Sequence, residues 1–168
     1  VERVLERARA EGALVGFDPN YHPSIWNRGE DGAAYVRSVI GRVDVIKPSE
    51  DDAARLFGED TPENQLAKFL ELGPRLVILT LGKDGALVSN GSETVRLDSV
   101  AEEVVDATGA GDAFWSGFYA GLLHRLTVHE ALKLGMETSA CKLKQLGPAA
   151  FPGVDELIAT MKNRGMNK

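Results

Sequence analysis

Three short apolar runs rich in branched residues, Leu14 to Phe17, Val43 to Ile46 and Leu76 to Thr80, each follow a stretch with helical periodicity: Val1 to Ala10, Gly32 to Ile40 and Pro62 to Leu72 respectively. A helical period giving way to a short β-branched run, three times over, restricts the chain to βα units, because parallel neighbours in a sheet must be joined by a crossover that a helix fills. The expected fold class is therefore α/β, a mostly parallel sheet covered by helices in three layers, with residues 1–168 forming one domain. After Thr80 the pattern changes. Gly82-Lys83-Asp84-Gly85 is turn chemistry, and Ala86 to Ser89, Thr94 to Leu97 and Glu103 to Val105 are predicted as short hairpin-type strands, so the sheet should gain antiparallel members. From Gly111 onward helices are expected at Gly111 to Leu123, Val128 to Lys144 and Val154 to Arg164, with Gly165 to Lys168 frayed. The chain opens inside an amphipathic helical pattern, with Val4, Leu5 and Ala8 on one face, which is the expectation for part of a longer protein.

The 168 residues are 43% hydrophobic and carry 19 basic against 25 acidic side chains, a net charge of -6 with the signs interspersed. Nucleic-acid binding is not expected of such a chain, but an anionic nucleotide is compatible with it, since phosphate sites are often built from backbone N–H groups and a cation. No run approaches the roughly 18 apolar residues of a membrane span, and no signal-peptide core is present, so a cytoplasmic protein without membrane partners is expected. The lone cysteine, Cys141, excludes an intrachain disulfide and a cysteine zinc cluster and is expected as a small core residue. His22, His124 and His129 are too dispersed to suggest a metal centre.

The segment from Val104 to Phe118 passes from a β-branched pair through Asp106-Ala107-Thr108-Gly109-Ala110-Gly111 into a helical pattern whose first turn holds Asp112. Free N–H groups at such a helix start, with the positive end of the helix dipole, form a pocket for phosphate, and small residues let the backbone approach it. Asp112 has two readings: an acid that favours a helix start, or a general base taking a proton from an attacking hydroxyl while the pocket stabilises phosphoryl charge. The second is preferred, because a carboxylate beside an anion pocket repels phosphate unless it has a task there. Asp106 could equally cap the turn.

This stretch resembles the second signature of the ribokinase-like (PfkB) carbohydrate kinases, in which an Asp, a Thr two residues on, and Gly-Ala-Gly-Asp precede a helix. The resemblance implies the ribokinase-like fold, with Asp112 as catalytic base and Gly109, Ala110 and Gly111 as the anion hole. It also implies a monovalent cation, usually potassium, near Asp106 and Thr108. Val77 to Ala86 looks like the family's strand ending in Thr-Leu-Gly and a hairpin, which would place Thr80, Gly82 and Gly85 at the nucleotide; a plain strand and turn is the alternative. Val45-Ile46-Lys47-Pro48-Ser49-Glu50 resembles an Asn-x-x-Glu element, with Glu50 directed to magnesium through water and Lys47 standing in the place of Asn. Ser49 as a helix N-cap with Glu50 and Asp51 in the first turn is a compatible reading.

Phe17 to Trp26 is similar to the Asp-x-Asn-x-Arg stretch of fructokinase-like and 2-keto-3-deoxygluconate-kinase-like members. Asp18 and Asn20 match it, and His22 stands where Arg is usual, removing the bidentate grip that Arg gives. Gly147 to Pro152 is similar to the family's closing segment, where Gly147 would complete the cation site. Trp26 and Trp115 are expected to pack rather than stack on a ligand. The resemblance implies ATP and magnesium as cofactors, a sugar or sugar acid as acceptor, and an absent amino-terminal part bearing a β-sheet lid through which the full-length protein would form a homodimer. Two alternatives stand beside it: a nucleotide-binding chain that turns over nothing, and a vitamin-precursor or nucleoside kinase of the same superfamily.

Overall fold

The computed structural model describes residues 1–148 and 150–166, with side-chain environments given through Arg164. The chain divides into two compact units, Val1–Asp98 and Ser99–Lys168.

The first unit follows the βα grammar. Helix α1 (Glu2–Ala10) leads to strand β1 (Gly16–Phe17), a single 3-10 turn over Pro23–Ile25, α2 (Gly32–Ile40) and β2 (Val45–Ile46). Helices α3 (Glu50–Phe57) and α4 (Pro62–Glu71) then precede β3 (Leu76–Thr80), β4 (Ala86–Ser89) and β5 (Thr94–Leu97). The sheet order is β1-β2-β3-β4-β5, parallel through β3 and antiparallel beyond it. The change of direction falls at the Gly82 to Gly85 turn, where positive φ at Gly82 (53°) and Gly85 (84°) reverses the chain.

Each connecting helix starts where a short polar side chain can accept an orphan amide. Asp31 Oδ1 accepts from Ala34 N (2.9 Å), and Thr61 accepts from Asn64 N (3.3 Å) with Pro62 at the first helical position. Ser49 opens α3 with a capping box whose third helical residue is Asp52. The apolar faces of α2, α3 and α4, through Val36, Ile40, Leu56, Leu66 and Phe69, bury against Ile46, Val77, Leu79 and Leu87 of the strands. Each such side chain stabilises by about 1.5–3 kcal/mol on full burial. Ile78, Ala86 and Val88, on the alternate positions of β3 and β4, are also buried, so both faces of these strands are covered. Trp26 packs on Tyr35 (5.7 Å between ring centroids) and over Gly32, where any Cβ would overlap its indole.

The second unit consists of α5 (Ala110–Leu123), α6 (Val128–Leu143) and α7 (Val154–Met166). Glu103 to Val105, expected as a strand, is irregular, and Val104 and Val105 are exposed. The cause is a competing partner: the N–H groups of Val105 and Asp106 donate to Leu143 O, at 2.7 and 3.2 Å, at the end of α6. They satisfy a helix carbonyl instead of a strand ladder. Helices α5 and α6 approach through glycines. A Cβ at Gly117 would lie 2.7 Å from Leu134 O, one at Gly121 2.8 Å from Ala131 Cα, and one at Gly135 3.0 Å from Phe114 O. Leu157 and Met161 of α7 pack on Leu134, and Arg164 Nε meets the buried Glu137 at 2.9 Å. Burial raises the Glu137 pKa, with Arg164 opposing. Cys141 is partly rather than fully buried, against this cluster. Of the terminal stretch expected to fray, Gly165 and Met166 are helical, while Asn167 and Lys168 lie outside the described residues.

Candidate functional site

The residues singled out in the sequence fall into two groups, one in each unit. In the first unit, parallel pairing of Phe17 with Ile46 brings the carboxyl ends of β1 and β2 level, so the next residues, Asp18 and Lys47, emerge side by side. Lys47 Nζ meets Asp18 Oδ2 at 2.8 Å, and the lysine side chain is only 5% exposed. Lys47 is therefore engaged with Asp18, a partnership that their separation in sequence concealed. Asn20 has φ of 40°, a left-handed conformation that Asn tolerates better than most residues and that swings the following Tyr21 inward. His22 stays exposed, its Nδ1 2.6 Å from Ser24 Oγ and accepting from Ser24 N at 3.2 Å.

The buried Asp52 went unremarked in the sequence. Its Oδ1 accepts from Tyr21 N (2.7 Å) and its Oδ2 from Ser49 N (3.0 Å) and Ser49 Oγ (2.7 Å), tying the Asp18 to Trp26 loop to the start of α3. Arg55 Nη1 adds a bond to Tyr21 O at 3.3 Å. The signal that could have found it is the acid three residues after a capping serine, since a capping-box acid faces back toward the preceding strand end. Ser49 caps α3, with Glu50 and Asp51 in its first turn. Thr80 N and Oγ1 both donate to Pro48 O, at 2.9 and 3.2 Å, holding the ends of β2 and β3 together. Glu50 is exposed, and its Oε1 lies 3.6 Å from where a Cβ on Gly82 would sit. Glu50, Thr80 and Gly82 thus share the edge formed by strand carboxyl ends, where open α/β sheets take ligands.

In the second unit, Gly109 is the N-cap of α5 with φ of 79°, a position with no side-chain cap. The left-handed turn leaves the helix start open to an approaching anion, with the Gly111 and Asp112 amides lacking intrahelical partners. The Ala110 amide closes a turn on Ala107 O at 3.2 Å. Asp112 occupies the third helical position and is exposed. Behind the turn, Asp106 Oδ1 accepts from Thr108 N (2.9 Å) and Oδ2 from Gly147 N (3.3 Å). These bonds and that of the Thr108 hydroxyl hold the Asp106 pKa down, from 3.8 to about 2. Lys142, another residue missed in the sequence, lies 3.6 Å from Asp106 Oδ2 and donates to Gln145 O at 3.0 Å. Asp106, Thr108 and Gly147 therefore come together; Ala149 of the closing segment lies outside the described residues.

Among the described residues no three His, Cys, Asp or Glu side chains cluster as a metal cage. A magnesium ion held through water and ligand phosphates needs only one or two carboxylates, and Glu50 at the Gly82 turn fits that requirement. Trp115 stacks on Tyr119 at 5.1 Å within α5. No helix of the described residues is long and apolar enough to cross a membrane.

The first unit has the strand-end edge, and the second the open helix start, that α/β proteins use when they handle phosphate. The profile of the pfkB family carbohydrate kinases matches residues 1–153, and the chain belongs to that family. It is 58% identical over 158 residues to the ATP-dependent 6-phosphofructokinase of Thermoanaerobacterium thermosaccharolyticum, covering 94% of this chain and 49% of that protein. The solved fructokinase of Halothermothrix orenii superposes with a TM-score of 0.72 at 41% identity, over 90% of this chain and 49% of the other. A Vibrio cholerae fructokinase double mutant, solved with fructose, ADP and a potassium ion, gives a TM-score of 0.79 at 27% identity, over 96% and 53%. The chain spans about half the length of these relatives, and the fold is ribokinase-like.

Proposed function

We propose that residues 1–168 act as the ATP-binding and catalytic domain of a kinase that transfers the γ-phosphate of ATP to a hydroxyl of a sugar or sugar acid. The observation that carries this reading is the start of α5: a left-handed Gly109 with no side-chain cap, and an exposed carboxylate at the third helical position, where the first-turn amides have no intrahelical acceptor.

In this reading Asp112 accepts the proton of the attacking hydroxyl, and the α5 amides with the helix dipole stabilise the charge that develops on the transferred group. Ala110 contributes less than its neighbours, because its N–H already closes the turn on Ala107. Thr80, Gly82, Gly85 and Lys47 border the nucleotide, and Glu50 holds water around magnesium, which when bound neutralises phosphate charge. Asp18, Asn20 and His22 meet the acceptor; Asp18, fixed by Lys47, can orient a sugar hydroxyl. The names of the relatives support fructose 6-phosphate and fructose as acceptors to test first, with 2-dehydro-3-deoxygluconate next. A cytoplasmic, homodimeric full-length enzyme belongs to the same reading.

Potassium is the remaining cofactor that the resemblance implies, at Asp106, Thr108 and Gly147. The residues there do not fit it well: a buried lysine already shares the corner, and no step is assigned to the ion.

The test is Asp112→Asn in the full-length protein, with the three acceptors and ATP. Turnover should fall by about 10²–10⁴-fold while ATP affinity changes little. Near-normal turnover with every acceptor would remove Asp112 as base.

A further inference from the structure

Asp106 lies behind the glycine turn that opens α5, and the positive charge nearest to it belongs to the chain itself. We propose that the Lys142 ammonium serves as a built-in monovalent cation at this corner, so that the site works without potassium. This rests on the kinase reading for its catalytic consequence but not for its geometry.

Lys142 stands in the last turn of α6 with its side chain 9% exposed, and a charge so buried requires partners. Among the described residues these are Gln145 O at 3.0 Å and Asp106 Oδ2 at 3.6 Å. The carboxyl end of α6 adds the negative end of a helix dipole. The stem of the lysine runs under the turn, its Cε 3.6 Å from where a Cβ on Gly109 would sit. The ammonium is thereby held behind the backbone that would face phosphate.

Three oxygens at this corner already accept from the chain's own donors. Asp106 Oδ1 takes the Thr108 amide, Oδ2 takes the Gly147 amide, and the Gln145 carbonyl takes Lys142 itself. A potassium ion would share these oxygens with their present donors and sit beside a like charge, Lys142 Nζ, 3.6 Å from the same carboxylate. The ammonium is nearly equivalent to the ion in charge and in preference for oxygen ligands, and it costs no binding entropy because it is tethered. The potassium reported for the Vibrio cholerae fructokinase double mutant belongs to that protein; here the corresponding charge would be covalent.

The test uses the full-length protein in potassium, sodium and tetramethylammonium chlorides at matched ionic strength, with rates and melting temperatures read in parallel. The unchanged enzyme should show rates within about two-fold across the three salts, as non-specific screening alone allows, and no melting shift specific to potassium. Lys142→Met should lose about 10²-fold in kcat in tetramethylammonium, the scale of removing one electrostatic stabiliser. Potassium should restore part of that loss and raise the melting temperature of the variant alone. Activation or stabilisation of the unchanged enzyme by potassium over tetramethylammonium overturns the proposal, as does a Lys142→Met protein that keeps both its rate and its indifference to salt. Should Lys142→Met not fold, the potassium response of the unchanged enzyme decides alone. A protein that phosphorylates no sugar, yet melts independently of potassium, would remove the kinase reading and leave this one standing.

Discussion

Two buried lysines, one in each unit, face an aspartate that follows an irregular or strand-ending segment, yet the pairs are built differently. Lys47 and Asp18 touch directly at 2.8 Å, and both positions are set by the register of β1 with β2. Lys142 stands off from Asp106 at 3.6 Å, while the carboxylate is gripped by the amides of Thr108 and Gly147. In the first pair the ion contact orients the carboxylate; in the second the backbone orients it and the lysine supplies field. The difference teaches that burial of a lysine does not by itself say whether its loss will be felt as lost stability or as lost electrostatics.

The largest test of that contrast is Lys47→Met. It should lower stability by about 1–3 kcal/mol by removing the direct ion contact to a mostly buried carboxylate, and raise KM for the acceptor through a loosened Asp18, as read by denaturant titration and steady-state kinetics. A Lys142→Met protein that loses as much stability would break the comparison. Smaller is Ser49→Ala, which removes the cap of α3 and one hydroxyl from the buried Asp52; a loss of about 1 kcal/mol is expected, with a modest rise in acceptor KM through Tyr21. The smallest effect is in acid. Because the folded state lowers the Asp106 pKa from 3.8 to about 2, its contribution to stability is present in full above the higher value and disappears as pH falls through the lower. Asp106→Asn should therefore flatten the acid limb of the stability profile in that window, and an unchanged limb would show that the Thr108 and Gly147 bonds do not bias the carboxyl group.

Much of this was legible from pattern. The alternation of helical and β-branched segments placed β3 at its observed limits and β1 and β2 within longer expected runs, and turn chemistry at Gly82 to Gly85 announced the antiparallel half of the sheet, with β4 and β5 as expected. What was not legible were partnerships made in three dimensions. Glu103 to Val105 has strand propensity, but the carbonyl of Leu143 competes for its amides, and that carbonyl is almost forty residues away in sequence. Helix α3 showed its cap and first-turn acids, but its eight residues put only two turns of apolar pattern, Ala53, Ala54, Leu56 and Phe57, on view. Lys142 looked like any basic residue near a helix end until its neighbours in space were known. The Asp106 to Asp112 motif, by contrast, carries its geometry in consecutive residues, which is why sequence alone could read it.

The glycines between α5 and α6 have a consequence at the level of genes. Every single-base missense change of a glycine codon adds at least a Cβ, and at Gly117, Gly121 and Gly135 that atom would meet α6 or α5 backbone or side chain at 3.0 Å or less. No one-step substitution at these three codons is sterically silent, so natural variation should be scarcer there than at the alanines of the turn that opens α5, Ala107 and Ala110. The start of α5 is thus guarded at a distance, by positions that touch no ligand and bear no functional group.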